Sequence, residues 1–368
     1  MDIKKKKMID KIKNETNSPV KTEKRTWTSE DLIPSGSTIL NLALSDTPYG
    51  GYGKGKIVNL VGDYSTGKTL LALTMLAEIS MDPRFDNYNL IFHDTEVALE
   101  FDIPYLFGNK VADRIELIEG QRTIQEWYRN HLYNIEKGVP FIYITDSFDG
   151  IISEEERKRG GKMLKKMKAE AEGKADDEKE KGSYKTEKAR WSSEAFRNFA
   201  EGVEKTNSLS LIISQTRDNI GVMFGPKQTK SGGKAMNFWI CHEIWLSASH
   251  PEKAETASGS AREIGMSVFA NVKKNKMTGK RRQASFPVYY DYGVDDIASC
   301  INFLIDEKHW ERLRGVILAK ELNVELKMPE LIKHVETESL ESQLKEISGQ
   351  VWHEIEESIR LTDRKKKY

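Results

Sequence analysis

Gly62, Asp63, Tyr64, Ser65, Thr66, Gly67, Lys68 and Thr69 carry the spacing G-x-x-x-x-G-K-T. The chemistry open to that spacing is phosphate binding. Backbone N–H groups of such a loop, with a helix N-terminus behind it, form an anion-binding concavity. Lys68 can reach the β- and γ-phosphates of a nucleoside triphosphate, and the Thr69 hydroxyl can ligate magnesium. The flanks suit the motif. Ile57, Val58, Leu60 and Val61 read as a buried strand, and LLALTMLAEIS after Thr69 reads as a helix without Gly or Pro.

Hydrolysis at such a loop needs a further carboxylate near the magnesium. Asp146, at the end of the apolar run FIYIT, fits that role and joins Thr69 as a metal-site residue. A group must also orient the attacking water. Glu96 in HDTE is the candidate, with Asp94 and Glu100 as nearby alternatives. Gln215 closes the apolar run LSLIIS and is placed to sense a γ-phosphate.

These residues need a scaffold that gathers them. Asn89–Glu96, Pro140–Ser147 and Leu209–Thr216 read as buried strands. Between them, Thr123–Lys137 places Ile124, Trp127, Leu132 and Ile135 at helical spacing, and Ser192–Lys205 reads as a helix capped by Ser192 or Ser193. Alternating strands and helices predict an α/β fold with a mostly parallel sheet flanked by helices. In such sheets ligands bind beyond the carboxyl ends of the strands, where Glu96, Asp146 and Gln215 fall. EIWLSAS, MSVFANVKK and ASFPVYYDYG read as strands extending the sheet antiparallel at its edge.

The remaining segments bound the domains. Residues 1–34 form a basic, lysine-rich N-terminal arm. Residues 35–294 form the core, interrupted at about 153–190 by a charged insertion with almost no large apolar side chains, expected as a solvated helix and loop. Residues 295–368 read as a small helical C-terminal domain, RLRGVILAKELNV included, with the basic tail RKKKY. The 368 residues carry 31% charged side chains and a formal net charge of +0, which excludes coating of nucleic acid through bulk positive charge but not a local basic groove. Cys241 and Cys300 form no metal-ligand pattern, and the seven histidines show no zinc spacing. The expectation is a cytoplasmic chain with no disulfide framework and no membrane association.

TRDNIGVMFGPKQTKSGGKAMNFW after Gln215 keeps Ile, Val, Met and Phe in a glycine-rich, basic loop, which calls for a partner such as base steps or a neighbouring subunit. From Ile212 to Phe238 this run resembles the second DNA-binding loop of the RecA recombinase family, and more closely its diverged bacteriophage members. SGSTILNLALSDTPYGGYGKGKIVNLVG, HDTEVALE and YITDS resemble the family's segments before the phosphate loop, around the catalytic glutamate and at the Walker B strand. The resemblance spans roughly residues 35–294 and implies a RecA-like ATPase core.

That resemblance implies an ATP- and Mg-dependent recombinase. It would form a helical filament on single-stranded DNA, pair it with double-stranded DNA and hydrolyse ATP in a DNA-dependent manner, with single-strand-binding and mediator proteins as further partners. Lys68, Glu96 and Asp146 would be catalytic, and Gln215 would switch between ATP and DNA. Arg217, Thr229, Gly232, Gly233 and Lys234 would touch the DNA backbone, and Ile220 would wedge between bases. VKKNK resembles the segment whose lysines, here Lys274 and Lys276, reach the ATP of a neighbouring subunit. The charged insertion replaces a shorter first DNA-binding loop, and Asn219 stands where a basic residue is usual. A ring-forming helicase on the same core, or a weakly hydrolysing mediator, are the alternatives.

Overall fold

The computed structural model describes residues 27–172, 186–218, 228–230 and 233–360. The chain enters through β1 (Leu32–Ile33), which pairs with β2 (Tyr52–Gly53), and α1 (Thr38–Ser45) lies between them. Leu32 and Ile33 are fully buried, so the last residues of the expected arm are part of the fold. Ser37 caps α1 and Asp46 ends it in the left-handed region. Every residue of α1 is buried, as its run of aliphatic side chains requires.

The core then alternates. β3 (Lys56–Gly62) leads into α2 (Lys68–Met81), and β4 (Asn89–Asp94) leads into the short helices α3 (Ile103–Phe107) and α4 (Asn109–Ala112). After β5 (Ile115–Glu119) comes α5 (Ile124–Glu136), closed at its start by a Thr123–Glu126 capping box. β6 (Phe141–Asp146) is followed by α6 (Glu154–Ala171) and α7 (Thr186–Lys205). β7 (Leu209–Asp218) pairs with β8 (Gln228–Lys230), and α8 (Gly233–Trp239) follows. β9 (His242–Glu255), β10 (Ala261–Asn275), β11 (Gln283–Tyr289) and β12 (Gly293–Val294) complete the core.

Among the described residues, one ten-stranded sheet runs β12-β11-β10-β9-β3-β7-β6-β4-β5, with β8 attached to β7. The ladder from β9 to β5 is parallel. β10, β11 and β12 are antiparallel, so the antiparallel extension begins one strand later than expected. β9 returns through α8 as a crossover, and a crossover delivers a parallel strand.

The parallel strands alternate their side chains between two layers, as the pleat demands. Val58, Leu60, Ile142, Ile144, Leu211 and Ile213 face the cluster that contains α1 and α2. Ile57, Phe141, Tyr143 and Ile212 face the cluster of α5, α7 and α8. Each such fully buried side chain contributes about 1.5–3 kcal/mol. On α5 the buried position expected of Leu132 is taken by His131, which bonds Ser210 Oγ at 3.0 Å, while Leu132 faces outward.

Two segments depart from the reading of the sequence. α7 begins at Thr186, and Ser192 lies inside it, donating to the Lys188 carbonyl at 2.6 Å instead of capping. RLRGVILAKELNV is not an α-helix; its one helical piece is the 3₁₀ turn Lys320–Leu322. It forms β13 (Glu311–Leu313), β14 (Val316–Ala319) and β15 (Val324–Lys327), an antiparallel sheet between α9 (Asp296–Asp306) and the pair α10 (Met328–Thr337) and α11 (Glu341–Ser358). Arg314 at φ 51° and Gly315 at φ 88° form the two-residue loop between β13 and β14. Two positive φ values match the right-handed twist of a hairpin, and this local turn overrides the helical spacing of Leu313, Ile317 and Leu318. This C-terminal unit shares one hydrophobic cluster with α1 and α2. Among the described residues, no helix is long and apolar enough to cross a membrane, and Cys241 and Cys300 are free and buried.

Candidate nucleotide site and loop stem

Register gathers the site. Gly62 ends β3 opposite Gln215 on β7, and Asp94 ends β4 opposite Asp146 on β6. Four carboxyl strand ends therefore meet at one edge of the sheet, beside the switch in strand order at β3.

The loop between β3 and α2 is shaped by its glycines. Gly67 sits at φ 77°, a left-handed conformation that turns the chain into α2. A Cβ on Gly62 would lie 2.5 Å from Thr66 Oγ1 and 2.9 Å from the Leu246 carbonyl oxygen, so no side chain fits. Lys68 is 8% exposed and its ammonium donates to the Asp63 carbonyl and, at 3.3 Å, to Thr66 Oγ1. Burial lowers the Lys68 pKa, opposed by Asp146, Asp63 and Glu96. A buried cation held by two neutral oxygens is poised to exchange them for phosphate oxygens. Tyr64 and Ser65 are exposed, with Ser65 at φ 51°.

Thr69 Oγ1 donates to Asp146 Oδ2 at 2.7 Å. The two residues expected at a magnesium ion are thus adjacent. One hydroxyl and one carboxylate are hard oxygen donors, and magnesium binds one or two such carboxylates together with phosphates and water, so the pair fits that ion. Burial raises the Asp146 carboxyl to about 6, with the Thr69 hydrogen bond and Lys68 opposing.

Glu96 Oε1 accepts from Ser147 Oγ and from Gln215 Nε2, the latter at 2.8 Å. Asp94 is separated from it in role. Its Oδ1 accepts the backbone N–H groups of Glu96 and Val97, and its Oδ2 those of Ala98 and Leu99, at 2.9–3.0 Å. Asp94 therefore builds the loop that carries Glu96, and Glu100 is exposed on that loop. The Asp146–Ser147 peptide is cis.

Beyond Gln215, β7 continues into a hairpin stem with β8, placing Arg217 opposite Thr229. Arg217 Nη2 contacts Asp149 Oδ1 at 2.9 Å. On the other side, Lys230 Nζ contacts Glu243 Oε2 at 2.5 Å, and Trp245 Nε1 donates to Glu243 Oε1 at 2.7 Å. Gly233 starts α8 at φ 60° with open space around its Cα, and Lys234 is in the first turn of that helix. Ile220 and Gly232 lie outside the described residues.

Lys274 and Lys276 are not near this edge. Lys274 pairs with Glu243, which pairs with Asn59, three residues before Gly62. That is roughly 10 Å back along the strands, and two strands to the side. There Lys274 Nζ donates to the Asn237 carbonyl, and Lys276 Nζ donates to the Phe238 carbonyl at 2.8 Å, so both cations sit at the C-terminus of α8. The Phe238 ring, 69% exposed, lies 5.7 Å from Lys276 Nζ.

Ser147, Asp149 and Lys188 join the site without having been singled out in the sequence. The D-x-x-D spacing of Asp146 and Asp149 in ITDSFDG was the available signal for one of them.

A family model for the RecA N-terminal domain matches residues 5–115 and 164–295. The intervening stretch, which holds Asp146, Ser147 and Asp149, is unmatched. The chain is 28% identical over 276 residues to Protein RecA of Thermus thermophilus, covering 75% of this chain and 72% of that one. It is 27% identical over 278 residues to Protein RecA of Geobacter metallireducens, covering 76% and 72%. Against Protein RecA of Gloeobacter violaceus the identity is 27% over 283 residues, covering 77% and 67%. With the family model matched over more than half of its length, the chain belongs to the RecA family.

Proposed function

We propose that the chain is an ATP-dependent recombinase, a DNA-dependent ATPase that forms a helical filament on single-stranded DNA and exchanges strands with homologous double-stranded DNA in recombination and repair. Single-strand-binding and mediator proteins would be its further partners, and the cytoplasm, including that of a phage-infected cell, its setting. The observation that carries this reading is the position of Gln215. Its side chain donates to Glu96 in the nucleotide site, and its strand runs without a break into the stem of the loop bearing Arg217 and Thr229.

In this reading the Gly62–Thr69 loop binds the phosphates and Lys68 exchanges its loop oxygens for phosphate oxygens. Magnesium, held by Thr69 and Asp146, would neutralise phosphate charge when bound. Glu96 orients the attacking water. Gln215 leaves Glu96 for the γ-phosphate, and that exchange is felt by the stem two residues on. Lys274 and Lys276 serve the nucleotide of a neighbouring subunit, which is why they face away from their own loop. Their present partners, the last carbonyls of α8, would be released in the filament.

The test is D-loop formation with ATP and with a non-hydrolysable analogue, alongside electron microscopy of the protein on single-stranded DNA. Homologous pairing with both nucleotides, and helical filaments, are expected. Closed rings with strand unwinding would replace this reading with that of a helicase.

A further inference from the structure

The 3₁₀ turn Phe148–Gly150, just past β6, carries a carboxylate with no role in the reading above. The Asp149 side chain is 10% exposed. Its Oδ2 accepts the backbone N–H of Gln215 at 2.8 Å, and its Oδ1 accepts from Arg217 Nη2 at 2.9 Å. One rigid group thus binds both the residue that touches Glu96 and the cation at the loop stem. Gln215 and Arg217 are two apart on β7 and share a face of the strand.

The geometry distinguishes orienting from sequestering. The contact engages one guanidinium nitrogen of a side chain that stays 61% exposed. Arginine has five N–H donors in a fixed fork, so an end-on contact at one nitrogen aims the fork without consuming it. Holding a long side chain in one rotamer before binding removes part of the ordering cost from the binding step. A second cation sits on the same turn. Lys188 Nζ donates to the Phe148 carbonyl at 2.9 Å and lies 4.9 Å from the centre of the Phe148 ring. The buried carboxylate is therefore flanked by two cations, Arg217 and Lys188.

We propose that Asp149 is a positioning residue that couples Gln215 to Arg217, presenting the arginine to a nucleic-acid phosphate in a geometry set by the nucleotide site. The proposal rests on the reading that the β7–β8 stem grips DNA. It predicts that Asp149 acts on DNA only through Arg217.

The experiment is a double-mutant cycle on the full chain, reading binding of a single-stranded oligonucleotide by fluorescence anisotropy. Binding is measured over a range of salt, with a non-hydrolysable ATP analogue and without nucleotide. Arg217→Ala is expected to weaken nucleotide-bound affinity about tenfold, as loss of a charge-assisted bond does. It should also lower the salt slope by about 0.7. Asp149→Ala is expected to reproduce most of both changes, and the double variant to bind no more weakly than Arg217→Ala alone. Asp149→Asn keeps an oxygen for the Gln215 N–H and drops the charge, so it should fall between wild type and Asp149→Ala. It also carries the cycle if the alanine variant folds poorly. Fully additive losses, or an Asp149 variant that binds and titrates with salt like wild type while Arg217→Ala is impaired, would overturn the proposal alone. Unchanged affinity and slope in Arg217→Ala would instead overturn the DNA-gripping assignment of the stem, and the proposal with it.

Discussion

At one end of the parallel ladder, Lys68 is held by Asp63 and Thr66, both within five residues of it in sequence. At the other end, Lys274 and Lys276 hold carbonyls of α8, some 37 and 38 residues earlier in the chain. The first end is a closed local structure. Its loop folds on itself, and β6, two strands away from β3, brings Asp146 to Thr69. The second end is an assembly of separate elements, and its two cations occupy the C-terminus of the very helix that follows the β7–β8 loop. A lysine that caps a helix in the free chain can be recruited elsewhere only if that cap is given up. The contrast teaches that the proposed phosphate site is preformed here, whereas the proposed contribution of the lysines depends on a partner.

The comparison can be broken most decisively at the lysine end. Lys274→Ala with Lys276→Ala is expected to reduce DNA-stimulated ATP hydrolysis by about 10³-fold or more, the range for a cation supplied in trans to phosphoryl transfer. Mixing this variant with Lys68→Ala should restore part of the activity, because some interfaces then pair an intact loop with intact lysines. No recovery on mixing would return the lysines to a role within their own subunit.

Acid should affect the lysine end through His242. Burial pushes His242 down to about 4, with its bond to Asn275 opposing. Asn275 lies between the two lysines and bonds His242 Nε2 at 3.2 Å. Between about 4 and 6.5 the unfolded chain binds the proton and the folded chain does not, so this contribution is complete above 6.5 and is lost as pH falls toward 4. The loss reaches about 3 kcal/mol at pH 4. Denaturant unfolding against pH should show His242→Gln with a shallower acid limb than wild type; parallel limbs would exclude His242 as its source.

At the phosphate-loop end, Lys68→Ala is expected to weaken nucleotide affinity by about 10- to 100-fold through loss of charge-assisted bonds. Near-unchanged affinity in that variant would sink the assignment of the loop. The smallest effect is expected between the two ends. Each phosphate contact removed from the stem, by Arg217→Ala or Lys234→Ala, should lower the salt slope of single-strand binding by about 0.7. Equal slopes for wild type and both variants would move the DNA surface off the stem.

Much of the nucleotide end was legible because its information is local. The spacing from Gly62 to Thr69 and the apolar runs before Asp94, Asp146 and Gln215 specify strands that end at one edge of the sheet. The choice among Asp94, Glu96 and Glu100 was not legible, since it depends on which carboxylate is consumed by four backbone N–H groups. Asp149 escaped notice for a similar reason. The D-x-x-D spacing in ITDSFDG marks the second aspartate, but its partners on β7 are defined only when β7 is laid beside β6. The helical reading of RLRGVILAKELNV failed because a short apolar run satisfies both periods, and the Arg314–Gly315 turn decides between them.

By itself, the sequence determined the Gly62–Thr69 motif, the α/β alternation and which residues close the parallel strands, because each follows from residues close together in the chain. Tertiary structure alone decided that Gln215 touches Glu96, that Asp149 holds both Gln215 and Arg217, and that Lys274 and Lys276 face away from their own nucleotide loop. Those facts follow from strand order and register, which are set by how the two faces of the sheet bury their side chains across long separations in sequence.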